Sequence, residues 1–398
     1  MSQQFKPVAA IIAQELKVNL AQVEAAIQLL DEGATVPFIA RYRKEATQGL
    51  DDTQLRLMAE RLRYVRELDE RRAVVLKSIH EQDKLTPSIE QAILAADTKT
   101  RLEDLYLPFR PKRRTKASVA KEAGLEPLAD ALWQNPALIP EQQAKAYVNP
   151  EHGVDDVTSA LEGARQILME QLAEEADLLA QLRQHLWQHG ILQASCAKEK
   201  KAAGQKFADY FDYQEPIRKI PSHRALALFR GRREQVLQLH LILPDNQDSG
   251  EALVRRFYKL NLQDRAGDAW IQETLINTWK QKLFTKLELE LLAQLREAAD
   301  EEAIHVFARN LRDLLLEAPA GAEVTMGLDP GIRTGVKVAV VDTTGKLLDY
   351  TTIFPFAPQN QWHESIASLA RLAARCQVNL ISIGNGTASR ETERLVAE

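Results

Sequence analysis

The chain has 398 residues, room for about two or three domains, and its 45% hydrophobic and 27% charged content is ordinary for a globular protein. A net charge of -5 provides no overall attraction to polyanions, so any nucleic-acid contact must come from local patches. Two lone cysteines, Cys196 and Cys376, exclude a disulfide framework and a Cys-rich metal site, and no stretch approaches the ~20 apolar residues of a membrane span. A cytoplasmic protein without membrane contact is expected. Met1 to Pro7 lacks a basic segment leading into an apolar run, so no secretory signal is read there.

Residues 1 to about 320 read mostly as helix. Val8, Ile11, Ile12 and Leu16 recur at helical spacing, and after a break at Val18-Asn19 so do Val23, Ala26, Ile27 and Leu30, ending at Gly33. Two helices around a tight break form a helix-turn-helix, either an ordinary packing hairpin or a DNA-reading pair. Gly33 to Lys44 reads as an irregular linker with two aromatics and three cations. Asp51, Asp52 and Thr53 offer N-caps to a long helix reaching about Gln82, with Leu55, Met58, Leu62, Val65 and Leu68 on one face. Thr86 and Pro87 open another helix. Residues 155 to 189 read as one long helix, a packing strut. Ile191 to Cys196 reads as a strand, residues 206 to 245 as mixed with a strand near Val236 to Leu243, and Asp268 to about Leu316 as helix.

Composition changes sharply after Ala318-Pro319-Ala320-Gly321, which places the main boundary there: a helical region over 1–320 and a second domain from 321 to 398. The second domain reads as strand, hairpin, strand, strand, helix, strand, with a new helix near Ser389. Val324 to Asp329 is an apolar strand closed by a carboxylate, and a Pro330-Gly331 turn leads to the strand Val336 to Val341. A ribonuclease-H-like sheet opens in this way. It needs more strands than the chain supplies, so an incomplete α/β domain and a longer parent protein are expected.

Metal-dependent phosphodiester cleavage uses two cations about 4 Å apart, held by carboxylates from several strands. Asp329 is the one first-strand candidate. The position after the fourth strand reads Gly384-Asn385-Gly386, and the nearest carboxylate, Glu391, falls in the following helix. Asp329 therefore reads as vestigial, a residue that caps or pins the Pro330-Gly331 turn, and no catalytic residue, metal site or cofactor is expected. A metal-dependent nuclease or resolvase is the alternative. Gly331 and Gly335 permit a tight hairpin or a close backbone approach. An actin-like ATPase would need a second such hairpin, and no Gly-x-x-x-x-Gly-Lys-Ser/Thr loop occurs. His185 and His189 have a metal-ligand spacing but no zincin Glu follows His185, so a surface pair is expected.

Two basic stretches could hold phosphates. The first carries Arg110, Lys112, Arg113, Arg114 and Lys116, and its prolines keep it off a regular helix. The second carries Arg218, Lys219, Arg224, Arg230, Arg232 and Arg233. The plain alternative for each is a solvated surface. The long helices at 51–82 and 155–189 also allow a protein-interaction module.

Four passages, Gly33 to Lys44, Leu102 to Lys116, Gly327 to Gly335 and Ile383 to Glu391, together resemble the Tex family of bacterial transcription accessory proteins, the YhgF type. The resemblance implies a nucleic-acid-binding scaffold related to a eukaryotic transcription elongation factor. It implies a helical N-terminal region with a helix-turn-helix and a YqgF-type ribonuclease-H-like domain lacking a full carboxylate set, with which Asn385 agrees. A helix-hairpin-helix region and an RNA-binding OB-fold would follow. The implied partners are RNA, with DNA as a second candidate, and the transcription or ribosomal machinery.

Overall fold

A computed structural model describes residues 8–244 and 249–398. Met1 to Pro7, read above for a leader, lies outside the described residues. The chain divides into two compact units, Met1–Ile304 and His305–Glu398.

In the first unit, α1 (Val8–Leu16), α2 (Leu20–Asp31) and α3 (Val36–Tyr42) pack on α4 (Asp52–His80). Ile12, Val23, Ala26, Ile39, Leu55 and Met58 fill that core. Asp51 accepts from the Gln54 amide and Gln54 returns the bond, a capping box that starts α4 where the sequence places it. The supposed linker at 33–44 is corrected: it contains α3. Thr35 accepts from the Phe38 amide, Pro37 sits in the first turn, and burial of Ile39 and Ala40 pins a helix too short for periodicity to reveal.

The far half of α4 packs with α5 (Pro87–Ala95) and α6 (Lys99–Tyr106) around Val75, Ile79, Ile93 and Leu102. The largest core follows. It gathers α7 (Lys116–Glu122), α8 (Glu126–Gln134), α9 (Pro140–Ala144), α10 (Val157–Ala173), α11 (Ala176–His189), α12 (Ser222–Arg233), α13 (Gly250–Phe257), α14 (Asp268–Thr278) and α15 (Phe284–Leu315). With them lies an antiparallel sheet ordered β2-β1-β3, made of β1 (Ile191–Cys196), β2 (Asp212–Pro216) and β3 (Leu237–Ile242). The single helix expected over 155–189 is two. Glu174 ends α10, and Glu175 turns extended and accepts from the Asp177 amide to start α11.

Asp268, only 5% exposed, accepts from the Gln263 and Arg265 amides and from the Arg265 side chain at the start of α14. The Arg265 hydrogen bond holds its carboxyl below the usual range. A carboxyl depressed by folding adds stability above its unfolded pKa of about 3.9, and this is lost as pH falls through the folded value. Asp268→Asn is expected to cost about 2 kcal/mol at pH 7, in the range for hydrogen bonds to a charged group. Its urea unfolding curve should converge on the parent's as pH falls below about 3.9 and through the folded value. A deficit independent of pH would refute the assignment.

The second unit holds β4 (Thr325–Asp329), β5 (Val336–Val341), β6 (Leu347–Ile353), α16 (Trp362–Cys376), β7 (Leu380–Ile383) and α17 (Ser389–Ala397). The sheet order is β6-β5-β4-β7; the first three strands are antiparallel and β7 runs parallel to β4. Met326, Leu328, Val338 and Val340 face Leu369, Leu372 and Leu395 in its core. The alternation along β4 and β5 leaves Gly327, Asp329, Lys337 and Ala339 on the opposite, open face.

Candidate nucleic-acid interface

Tyr106 ends α6, a 3-10 turn over Leu107–Phe109 follows, and the chain then runs without regular structure to Thr115. Pro108 and Pro111 remove backbone donors there, so Arg110, Lys112, Arg113 and Arg114 extend from a non-helical segment with exposed side chains. Lys116 is the first residue of α7, which Thr115 caps by accepting from the Ser118 amide at 3.0 Å. The sequence expected all five cations to be available, and the structure separates them. The Lys112 amine lies 2.8 Å from Glu170 and also meets Glu174, both at the end of α10. Burial alone would lower its pKa, but the two carboxylates outweigh burial and raise it. Arg114 reaches Glu122 at 3.3 Å in an exposed pair. Among the described residues Arg110, Arg113 and Lys116 meet no carboxylate.

The second basic stretch turns a corner. Arg218 and Lys219 lie exposed on the 3-10 turn Ile217–Lys219, and the remaining four stand on α12, a helix not anticipated from the sequence. Arg224 pairs with Glu215 at 3.2 Å and Arg230 with Glu234 at 3.0 Å. Arg232 and Arg233 crown the last turn, where cations also suit the helix dipole, and among the described residues no carboxylate holds them. Seven of the eleven anticipated cations are thus open to an outside anion. A surface ion pair is worth only about 0–1 kcal/mol, so Arg114, Arg224 and Arg230 are readily exchanged, but the less exposed Lys112 is held by the fold.

Asp329 closes β4 with 76% of its side chain exposed. Its one partner among the described residues is the Lys337 amine at 3.7 Å, across the hairpin. No hydrogen bond ties it to the Pro330-Gly331 turn, which corrects the expectation that it pins that turn. The Gly384 amide donates to the Leu328 carbonyl at 2.9 Å, bringing the loop after β7 beside it. That loop offers Asn385, and among the described residues no three His, Cys, Asp or Glu side chains gather as a metal site. Asp329, Lys337, Tyr350 and Ser382 border a shallow groove of 580 Å³ on the open face. His185 and His189 lie one turn apart on α11 with ring centroids 4.7 Å apart and planes tilted by 42°. Cys196 and Cys376 are free thiols. Among the described residues, no helix is long and apolar enough to cross a membrane.

Three family descriptions match the chain in order. A Tex-like protein N-terminal domain matches residues 6–80, a Tex central region residues 135–307, and a Tex protein YqgF-like domain residues 323–398. The chain is 53% identical over 394 residues to the transcriptional accessory protein Tex of Neisseria gonorrhoeae, covering 98% of this chain and 51% of that protein. It is 53% identical over 390 residues to protein YhgF of Escherichia coli, covering 96% and 50%. It is 28% identical over 403 residues to the human S1 RNA-binding domain-containing protein 1, covering 94% and 38%. The chain therefore spans about half the length of these bacterial relatives.

Proposed function

The chain belongs to the Tex family, and from that premise we propose that it is the nucleic-acid-binding scaffold part of a transcription accessory factor, without catalysis of its own. The observation that carries this reading is the set of seven exposed cations at Arg110, Arg113, Lys116, Arg218, Lys219, Arg232 and Arg233, unmatched by carboxylates among the described residues of a chain that is acidic overall. The name of the human relative, with its S1 RNA-binding domain, supports RNA as first partner and DNA as second. The transcription machinery is the setting named for the Neisseria relative.

In this reading 1–320 is the helical region and 321–398 the start of a ribonuclease-H-like domain. The strand order β6-β5-β4-β7, with the last strand parallel, supports that likeness. The α1–α2 helix-turn-helix acts as a packing hairpin, because α2 carries no lysine or arginine to meet a phosphate. Asp329 facing Lys337 instead of a second carboxylate supports a sheet without chemistry.

Filter binding of single-stranded RNA and duplex DNA across a salt series tests the scaffold. The triple variant Arg110→Ala, Arg113→Ala, Lys116→Ala is expected to flatten the RNA salt slope by about 2, at about 0.7 per lost phosphate contact. Lys112→Ala should leave the slope unchanged. Binding no tighter than that of a neutral protein would reject the scaffold. Cleavage of branched or linear DNA in Mg²⁺ or Mn²⁺ that disappears in Asp329→Asn would reject the non-catalytic reading.

A further inference from the structure

The end of α12 and the middle of α15 enclose an open groove of 420 Å³, lined by Phe229, Arg232, Arg233, Leu289, Leu292 and Arg296. Leu292 is 3% exposed and forms its base, whereas Leu289 is 54% exposed. Three guanidinium groups border these apolar side chains. The nearest acid in sequence to Arg232 and Arg233 is Glu234, which is already taken by Lys206 at 2.6 Å and Arg230 at 3.0 Å. Arg296 has Asp300 one turn away at 3.6 Å, an exposed pair of little strength. The groove therefore combines uncompensated positive charge with exposed aliphatic surface in one place.

That combination selects among anions. A nucleic acid bound without sequence preference gains from successive aromatic faces on which bases stack, and this groove offers one aromatic ring, the half-buried Phe229, beside the aliphatic Leu289 and Leu292. Aliphatic side chains bordered by arginines suit a helix that carries leucines on one face and carboxylates beside them. We propose that this groove docks an acidic amphipathic helix of a partner protein. A leucine-type side chain seats against Leu289 and Leu292, and carboxylates take forked hydrogen bonds from Arg232, Arg233 and Arg296. This site does not depend on the nucleic-acid reading, although it draws on two of the same arginines.

Fluorescence anisotropy on the whole chain tests it with three labelled probes: a helical peptide of leucine and glutamate at helical spacing, the same peptide with serine for leucine, and an oligouridylate. The leucine peptide is expected to bind, and the serine peptide to bind at least about ten-fold more weakly. Arg232→Ala with Arg233→Ala should weaken the leucine peptide by about ten-fold or more. Leu289→Ser, which removes no charge, should weaken the peptide and leave oligouridylate binding as it was. All three substitutions are at exposed positions, and an unchanged circular dichroism spectrum verifies folding. Absent leucine-peptide binding, equal affinity for both peptides, or indifference to Arg232 and Arg233 would overturn the proposal. So would oligouridylate binding that depends on Leu289, which would give the groove to nucleic acid.

Discussion

Asp104→Ala is expected to destabilise the first unit by about 3 kcal/mol, with a lower urea midpoint at unchanged slope. Asp104 lies on α6 and is 3% exposed. Arg183 from α11 donates to both of its oxygens, at 3.0 and 3.2 Å, and to Glu290 of α15 at 2.8 Å. The Lys286 amine stands 3.7 Å from Asp104 and 3.8 Å from Glu290. Burial raises the pKa of the Asp104 carboxyl and lowers that of the Lys286 amine, so each is charged at a cost that only the others offset. Stripping one partner from a buried pair costs about 3–5 kcal/mol, because the charge left behind has no water. The lower end applies here, since Glu290 still serves Arg183 and the cluster is not fully dry.

The double variant Asp104→Leu, Lys286→Met removes one charge of each sign and should recover most of the loss, because apolar replacements of a buried pair are often neutral. If Asp104→Ala costs less than about 1 kcal/mol, the cluster is hydrated and its charges do not depend on one another. The same change bears on the candidate interface. α6 feeds directly into the segment carrying Arg110 to Lys116, anchored at one end by Asp104 and along its length by Lys112. Loss of the Asp104 anchor should therefore speed trypsin cleavage after Arg113 and Arg114, as local opening does.

Local chemistry was legible where it was sufficient. Asp51 and Thr86 announce α4 and α5 because a side-chain oxygen followed by helix-forming residues meets the free amides of a first turn. The run Ile191 to Cys196 coincides with β1 because β-branched and apolar residues are bounded there by Gly190. Long-range pairing was not legible. Glu170 and Glu174 lie far from Lys112 in sequence, so no local signal shows that this lysine is tied to α10 while Arg113 beside it stays open. The break at Glu174-Glu175 was hidden for a related reason: glutamates favour helix, and the turn is stabilised by what Glu174 reaches in space. α12 was obscured by Arg218 to Arg233 reading as a charge run, when Ala225 and Leu228 bury one face of it. At the sheet, Asp329 and its hairpin were legible, but the facing lysine depended on cross-strand register, pairing Asp329 with Lys337.

That hairpin supports the second large prediction. Gly335→Ala is expected to cost the second unit about 2–4 kcal/mol, from two separable causes. Gly335 has φ +80°, where an alanine pays about 1–2 kcal/mol of left-handed strain. A Cβ there would also lie 2.7 Å from the Phe354 ring and 2.8 Å from the Ile353 carbonyl, and the latter is backbone that cannot swing aside. Crowding of that kind adds about 1–3 kcal/mol. Gly345, between β5 and β6, separates the two: its φ is +84° but a Cβ would meet nothing within 4 Å. Gly345→Ala should therefore show the strain alone, about 1–2 kcal/mol. Hydrogen exchange of the β4 and β5 amides reads both losses within this unit. A greater loss for Gly335→Ala locates the close approach that fixes Asp329 opposite Lys337, and equal losses would mean that strain alone makes glycine necessary there.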